Sequence, residues 1–149
     1  MSKETGKPKE VGRFLVAVGA IIEHSPTGKI LLLKRSPKKD FSGGIWEYIT
    51  GRMNQFEEPR DALRREIKEE AGIEVTIIKP TSTYHIFRGE RTAENELVGI
   101  MHWCTVDSDK IVLSEEHTEY KWVSPEEALK MIQKPSMQND IKAYMREKE

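Results

Sequence analysis

The chain has little cysteine, almost no net charge and no long apolar run. Its single cysteine, Cys104, rules out an intrachain disulfide framework, and the apolar, strand-like run around it favours a packed core thiol over a nucleophile. A net charge of −1 provides no basic field to hold a nucleic-acid backbone, so long RNA or DNA is not expected as a substrate. No apolar run could cross a membrane, and the polar segment 1–10 lacks the apolar core of a signal peptide. We therefore expect a cytoplasmic protein with no membrane partner.

The composition suits one domain with a single core. Hydrophobic residues make up 37% of the 149 residues and charged residues 33%, which indicates a heavily charged surface around an ordinary interior. We expect residues 1–10 to form a disordered N-terminal tail and residues 11–149 to form the domain.

Strands and helices alternate along the sequence. Helices are predicted from Pro125 to about Gln133, with Ser124 as the N-cap, and from Met137 to about Arg146, with Ser136 as the N-cap. Apolar and β-branched runs predict strands at 13–23, 29–35, 46–49, 74–78, 83–87, 97–106 and 120–123, with an interruption at Pro80. This order predicts the α/β class, with a mixed β-sheet between helices.

The stretch Gly51–Ile73 combines a glycine-containing loop with a short helix. Pro59 suits the first helical turn, where its missing N–H is not needed, and Gly72 suits a left-handed C-terminal cap. The helix is therefore predicted to span Pro59–Ala71.

Charges on this helix are segregated rather than interleaved. At about 100° per residue, Leu63 and Ile67 define an apolar stripe. The acidic side chains fall on one flank: Glu66 and Glu70 beside the stripe, and Glu69 a step further round. The basic side chains fall on the other flank: Arg64, Arg65 and Lys68. Carboxylates that face the protein body without a basic partner favour a hard divalent cation, and Mg²⁺ commonly binds through a few carboxylates, water and substrate phosphates.

The same stretch resembles the signature of Nudix (MutT-like) hydrolases. The match runs Gly51, five residues, Glu57, seven residues, Arg65-Glu66-Ile67, one residue, Glu69-Glu70, one residue, Gly72-Ile73. By average residue usage, a chance match to these positions is rarer than roughly one in a million chains. The resemblance implies a Nudix-type α/β/α sandwich that hydrolyses a diphosphate bond with Mg²⁺, for which Mn²⁺ can substitute.

The resemblance also implies roles for individual residues. The metal ligands would be Glu57, Glu66, Glu69, Glu70 and a backbone carbonyl near Gly51, and Arg65 would hold a signature carboxylate in position. The general base is left open between Glu66, Glu69 and a loop glutamate before the last strand, for which Glu116 is favoured over Glu115. His102 and His117 are expected to be packing or surface residues.

The substrate is left open within the class of small nucleoside-like polyphosphates. Arg35 is placed like an arginine that binds substrate phosphate in some relatives, and Trp46 is a candidate for stacking on a base or pterin ring. Ile49-Thr50-Gly51 resembles the corresponding stretch of dihydroneopterin triphosphate pyrophosphohydrolases. A nucleoside triphosphate, a dinucleoside polyphosphate and ADP-ribose are the other candidates, and a homodimer is left open.

Two other function classes share this fold. Nudix-like sensor modules that bind nucleotides or ADP-ribose typically lack signature carboxylates, whereas all of them are present here. Isopentenyl diphosphate isomerases need a cysteine that protonates the substrate and histidines that bind the metal. The single cysteine of this chain is predicted to lie in a buried strand, where it fits that role poorly. A hydrolase is therefore the favoured function.

Overall fold

The computed structural model describes residues 11–38 and 43–149, so the predicted tail 1–10 lies outside the described residues. Three helices flank one sheet: α1 (Pro59–Ala71), α2 (Pro125–Met131) and α3 (Pro135–Lys148). A single 3₁₀ turn spans Ala93–Asn95. The strands are β1 (Leu15–His24), β2 (Ile30–Arg35), β3 (Trp46–Glu47), β4 (Ile49–Arg52), β5 (Thr76–Phe87), β6 (Glu96–Val106) and β7 (His117–Val123).

The sheet is mixed, as the sequence predicts. Strand β1 lies near its centre, parallel to β6 and antiparallel to β2 and β4, while β5 pairs with β6 at one edge. Strand β2 pairs antiparallel with both β3 and β7. Strands β3, β4 and β7 thereby approach the same end of the sheet, and the loops at that end carry the candidate site.

Alternating side chains of the central strands fill two separate cores. On β1, Val18, Ala20 and Ile22 face α1, whereas Ile21 faces α2 and α3. Because successive residues of a strand point to opposite faces, nearly continuous apolar strands indicate a sheet covered on both sides. The predicted α/β/α sandwich is confirmed. Cys104 is buried in the core under α1, where burial raises the pKa of its thiol to about 12.

A buried polar cluster ties α3 to the sheet. Asp140 of α3 accepts hydrogen bonds from the hydroxyl groups of Tyr48 and of Ser82, the latter at 2.9 Å. Burial raises the pKa of Asp140, whereas these two hydrogen bonds lower it. Among the described residues, none of the helices is long and apolar enough to traverse a lipid bilayer.

Several predicted boundaries are wrong: β7 begins at His117 rather than at Tyr120, and α2 ends at Met131 rather than at about Gln133. Strand β5 continues through Pro80 as one strand, because shifts in register on either side of that residue accommodate it. Helix α3 begins at Pro135 with Lys134 at the N-cap position, rather than after Ser136. Proline is favoured at the first helical position because its φ is already helical, and here this preference outweighs the capping tendency of serine.

Candidate active site

Helix α1 positions the acidic side chains and has the predicted bounds. Its N-cap residue, Glu58, accepts hydrogen bonds from the backbone N–H groups of Arg60 and Asp61, and Pro59 occupies the first turn. Gly72 ends the helix in the left-handed conformation, with φ of 69°. These caps fix where the helix begins and ends.

The carboxylate side chains of α1 differ in how deeply they are buried. Leu63 and Ile67 are fully buried and anchor α1 on the sheet. Glu70 lies beside them with 5% of its surface exposed, and Glu66 is half-buried. The side chain of Glu69 is 58% exposed, so the expectation that it faces the protein body is wrong. At 3.6 residues per turn, Glu69 is the carboxylate furthest from the apolar stripe.

Gly51 allows the closest approach between β4 and α1. A Cβ atom built at Gly51 would overlap the carboxylate of Glu66, so any larger residue would displace that side chain. Gly51 pairs with Val18 in the antiparallel ladder between β1 and β4, which fixes its position. The absence of a side chain at Gly51 therefore leaves the space in which the Glu66 carboxylate lies against the strand.

Arg65 organises the acidic side chains around it. Its guanidinium donates two hydrogen bonds to Glu57, at 2.7 and 2.9 Å, and one to Glu66 at 2.9 Å. It also lies 3.5 Å from Glu69 and donates to the backbone carbonyl of Arg52. The expectation that no basic residue of the helix meets the carboxylates is wrong, because the long side chain of Arg65 reaches round the helix from the far flank.

The pair of hydrogen bonds between Arg65 and Glu57 keeps both side chains ionised. Hydrogen bonding to Arg65 lowers the pKa of Glu57 to about 2, and hydrogen bonding to Glu57 raises the pKa of Arg65. Both carboxylate oxygens of Glu57 accept from Arg65. This geometry favours a role for Glu57 in orienting Arg65; direct or water-mediated metal binding by Glu57 stays a prediction.

Glu70 is the most perturbed carboxylate of the group. Burial, together with the nearby charges of Glu116, Glu66 and Glu47, raises its pKa to about 9. Burial likewise raises the pKa of Glu66, although Arg65 opposes that shift. Like charges that crowd a buried position disfavour ionisation unless a cation joins them.

A divalent cation fits these carboxylates on two counts. The Oε2 atom of Glu70 is buried without a hydrogen-bond partner among the described residues, although buried carboxylate oxygens are rarely left unpaired. Oxygen ligands of this kind suit hard cations such as Mg²⁺. Glu70 and Glu116 each offer an oxygen to one compact group of possible ligand atoms.

These residues line one open cleft of about 540 Å³. Its acidic side chains include Glu66, Glu70 and Glu116, together with Glu47, and its basic side chains are Arg35, Arg52, Arg65 and Arg88. Arg35 lies in this cleft, with its guanidinium 3.4 Å from Glu47, and its role in binding phosphate stays a prediction. Arginines at the rim of an acidic cleft suit a ligand that carries phosphates.

Trp46 does not share this cleft. It neighbours Glu47 on β3, so the two side chains point to opposite faces of the sheet. Trp46 instead packs against the core under α2 and α3, and the ammonium groups of Lys34 and Lys121 lie 6.0 and 5.3 Å from its ring centroid. Its predicted role in stacking on the substrate beside the carboxylates is not supported by this placement.

Sequence reasoning missed Glu47, Arg52, Arg88 and His117 at this site. Glu47 interrupts the apolar run Trp46-Glu47-Tyr48-Ile49, and a charge inside such a strand is a signal that could have found it. His117 is fully buried beside Glu70 and Glu47, and only the register of its strand reveals that position. Arg88 follows β5 in a polar loop that carries no such signal.

A family model described as the NUDIX domain matches residues 13–146. The chain belongs to the Nudix family. The fold, the signature helix and the acidic cleft described above are thus those of a Nudix protein, and the resemblance seen in the sequence is confirmed.

Relatives indicate the kind of Nudix protein. The CTP pyrophosphohydrolase of Escherichia coli is 32% identical over 133 residues, which cover 89% of this chain and 93% of that protein. The dihydroneopterin triphosphate diphosphatase of Haemophilus influenzae is 26% identical over 140 residues, covering 87% and 86%. The crystal structure of a MutT protein from Methanosarcina mazei matches with a TM-score of 0.76 and 27% identity, covering 95% of this chain and 99% of that one. The chain is a Nudix hydrolase.

Proposed function

We propose that this Nudix hydrolase is a Mg²⁺-dependent pyrophosphohydrolase of a nucleoside triphosphate or a similar small triphosphate. The observation that carries the proposal is the cleft itself, in which the crowded carboxylates of Glu66, Glu70 and Glu116 lie among four arginines. A cation at the carboxylates and phosphates at the arginines would satisfy both sets of charges.

Glu66, Glu70 and Glu116 would hold the metal ion, with Gly51 supplying space for Glu66 and Glu69 remaining a further candidate ligand. When bound, a divalent ion would neutralise phosphate charge, polarise the phosphoryl oxygens and make a water molecule more acidic. The protein's own part is to hold Glu66 through Arg65 and to exclude bulk water from Glu70, since both features are present before any ligand arrives.

Arginines of the cleft would bind and orient the phosphates. Arg35, Arg52 and Arg88 lie along its lining, and a guanidinium matches a phosphate with two parallel hydrogen bonds. From the resemblance, Glu116 on the loop before β7 is also the favoured general base, and it would take the proton through the carboxylate oxygen that does not bind the metal ion. Glu66 and Glu69 are the alternatives.

Two relatives suggest which triphosphates to test. The names of the Escherichia coli and Haemophilus influenzae proteins specify CTP and dihydroneopterin triphosphate, and the Ile49-Thr50-Gly51 stretch favours including the pterin. Dinucleoside polyphosphates and ADP-ribose complete the screen. A cytoplasmic location and a homodimer stay predictions.

The test is a pyrophosphate- and phosphate-release screen over these substrates with Mg²⁺. We expect chelation to abolish activity, and Glu66→Gln or Glu70→Gln to lower kcat on the order of a hundredfold or more, because metal stabilisation of the transition state is worth several kcal/mol. Glu119→Gln is the matched control, since that exposed strand residue pairs with Lys34 outside the cleft.

Activity that survives chelation, or that survives in both cleft variants, would refute the site assignment. Tight binding of a nucleotide or of ADP-ribose without any phosphate release would instead identify a regulatory module.

A further inference from the structure

A β-bulge turns His117 toward the acidic cleft. Strand β7 pairs with β2 in regular register until Lys34 opposite Glu119, and Arg35 then pairs with His117, so that Thr118 is an extra residue. Without that extra residue, His117 would point to the opposite face of the sheet. Bulges are common next to active sites, where they redirect a side chain.

The far nitrogen of the His117 ring is held by a carboxylate. Nε2 lies 2.7 Å from an Oε2 atom of Glu47, and a carboxylate can only accept, so Nε2 carries the proton. In the neutral ring, Nδ1 is then an unprotonated nitrogen with its lone pair free to bind. Metal-binding histidines almost always donate their other N–H group to a carboxylate or carbonyl in this way.

The near nitrogen has no hydrogen-bond partner among the described residues. The side chain of His117 has 0% of its surface exposed, and its Nδ1 atom lies 3.9 Å from Oε1 of Glu70, beyond hydrogen-bond distance. Glu70 also has its unpaired buried Oε2 atom. Two unpaired buried polar atoms on adjacent side chains cost stability, which indicates that a ligand belongs between them.

We propose that His117 Nδ1 is a nitrogen ligand of a divalent metal ion, together with Glu70 and Glu116. Glu70, Glu116 and His117 each offer one ligand atom within 4.8 Å of the other two, and Nδ1 of His117 lies 3.9 Å from Oε1 of Glu70. The proposal rests on the proposed metal-dependent function and gives that metal site a mixed nitrogen and oxygen ligand set. It departs from the expectation that His117 serves only for packing or lies at the surface.

A nitrogen ligand changes which metals the site prefers. Imidazole suits Zn²⁺ and the later first-row metals, whereas Mg²⁺ takes oxygen ligands and usually keeps several waters. Loss of His117 should therefore lower the affinity for Zn²⁺ by at least about tenfold, since losing even a residue that only orients a ligand costs that much. The affinity for Mg²⁺ should change less.

The experiment is pulsed electron paramagnetic resonance of Mn²⁺ bound to the full chain, alongside calorimetric titration with Mn²⁺, Zn²⁺ and Mg²⁺. We expect a directly bound ¹⁴N coupling in the wild type that changes to ¹⁵N when the protein is made with ¹⁵N-labelled histidine. His117→Gln should lose the nitrogen coupling, and its Zn²⁺ affinity should fall by at least about tenfold. His102→Gln is the matched control, because His102 is also buried but bonds to the Gly19 carbonyl.

Each outcome decides one question. If Mn²⁺ binds the wild type without nitrogen coupling, the proposal is overturned while the metal-dependent function stands. If the wild type binds no Mn²⁺, both are overturned. If His117→Gln fails to fold, the labelled wild type still decides the proposal, and coupling that persists in a folded His117→Gln protein overturns it.

Discussion

Gly51→Ala tests whether the contact between β4 and α1 builds the metal site. The added Cβ atom would overlap the carboxylate carbon of Glu66, and Glu66 must then rotate away from the strand and from its 2.9 Å hydrogen bond with Arg65. Inserting a methyl group into a filled site costs typically about 1–3 kcal/mol. A displaced ligand should also lower metal affinity by at least about tenfold, which corresponds to about 1.4 kcal/mol.

Gly19→Ala provides the matched control for this substitution. Gly19 pairs with Thr50 on the same two strands, and a Cβ atom there would meet the flexible end of the buried Met101 side chain instead of a carboxylate. Both variants should lose stability to denaturant in the presence of a chelator, and only Gly51→Ala should lose Mn²⁺ affinity in a calorimetric titration.

A double-mutant cycle isolates the contact. In a Glu66→Ala background the overlapping carboxylate is gone, so Gly51→Ala should lower the unfolding free energy clearly less than it does in the wild type. An equal cost in both backgrounds, or wild-type Mn²⁺ affinity in Gly51→Ala, would show that Glu66 is not a ligand seated by this glycine.

Two further predictions concern single residues of the signature. Glu70 has a pKa of about 9 in the folded protein against an ordinary value of 4.5, so its contribution to stability is complete below pH 4.5 and is lost as pH rises through 9. Without metal, Glu70→Gln should therefore become more stable relative to the wild type as pH rises. Unfolding free energies of the two proteins that change in parallel from pH 6 to 9 would contradict this. Phe56 is 97% exposed and has a φ of 69°, a conformation that strains any residue except glycine. The unfolding free energy of Phe56→Gly should exceed that of Phe56→Ala by up to about 1 kcal/mol, because the strain that glycine relieves is larger than its extra loss of backbone entropy. An alanine variant as stable as the glycine variant would show that the backbone is not strained here.

Local signals were sufficient for the elements that hold the signature. Pro59 and Gly72 predict the bounds of α1 because each acts through its own backbone, with no help from distant residues. The two faces of the sheet follow from nearly continuous apolar strands in the same direct way. Phe56, the residue directly before Glu57, adopts the left-handed conformation that favours glycine, which no local sequence signal predicted.

Contacts between distant segments were beyond that reasoning. Helical geometry alone places Arg65 on the flank away from the carboxylates, but it says nothing of how far an arginine side chain extends round the helix. His117 joins the cleft only because an extra residue in β7 reverses its direction, and strand periodicity cannot reveal such a bulge. Side-chain length and strand register therefore set the limit of the sequence prediction.

The unfavourable features of the metal-free cleft have a common physical explanation. Glu70 is buried among like charges, its Oε2 atom is unpaired, and Nδ1 of His117 is unpaired beside it. Each feature lowers the stability of the protein without metal, and each is relieved by one cation in the same place. Because a ligand that binds only the folded state adds its binding free energy to stability, metal should raise the unfolding temperature of the wild type more than that of Glu70→Gln or His117→Gln. The same crowding makes metal binding release a proton from Glu70, so affinity should rise with pH up to about 9.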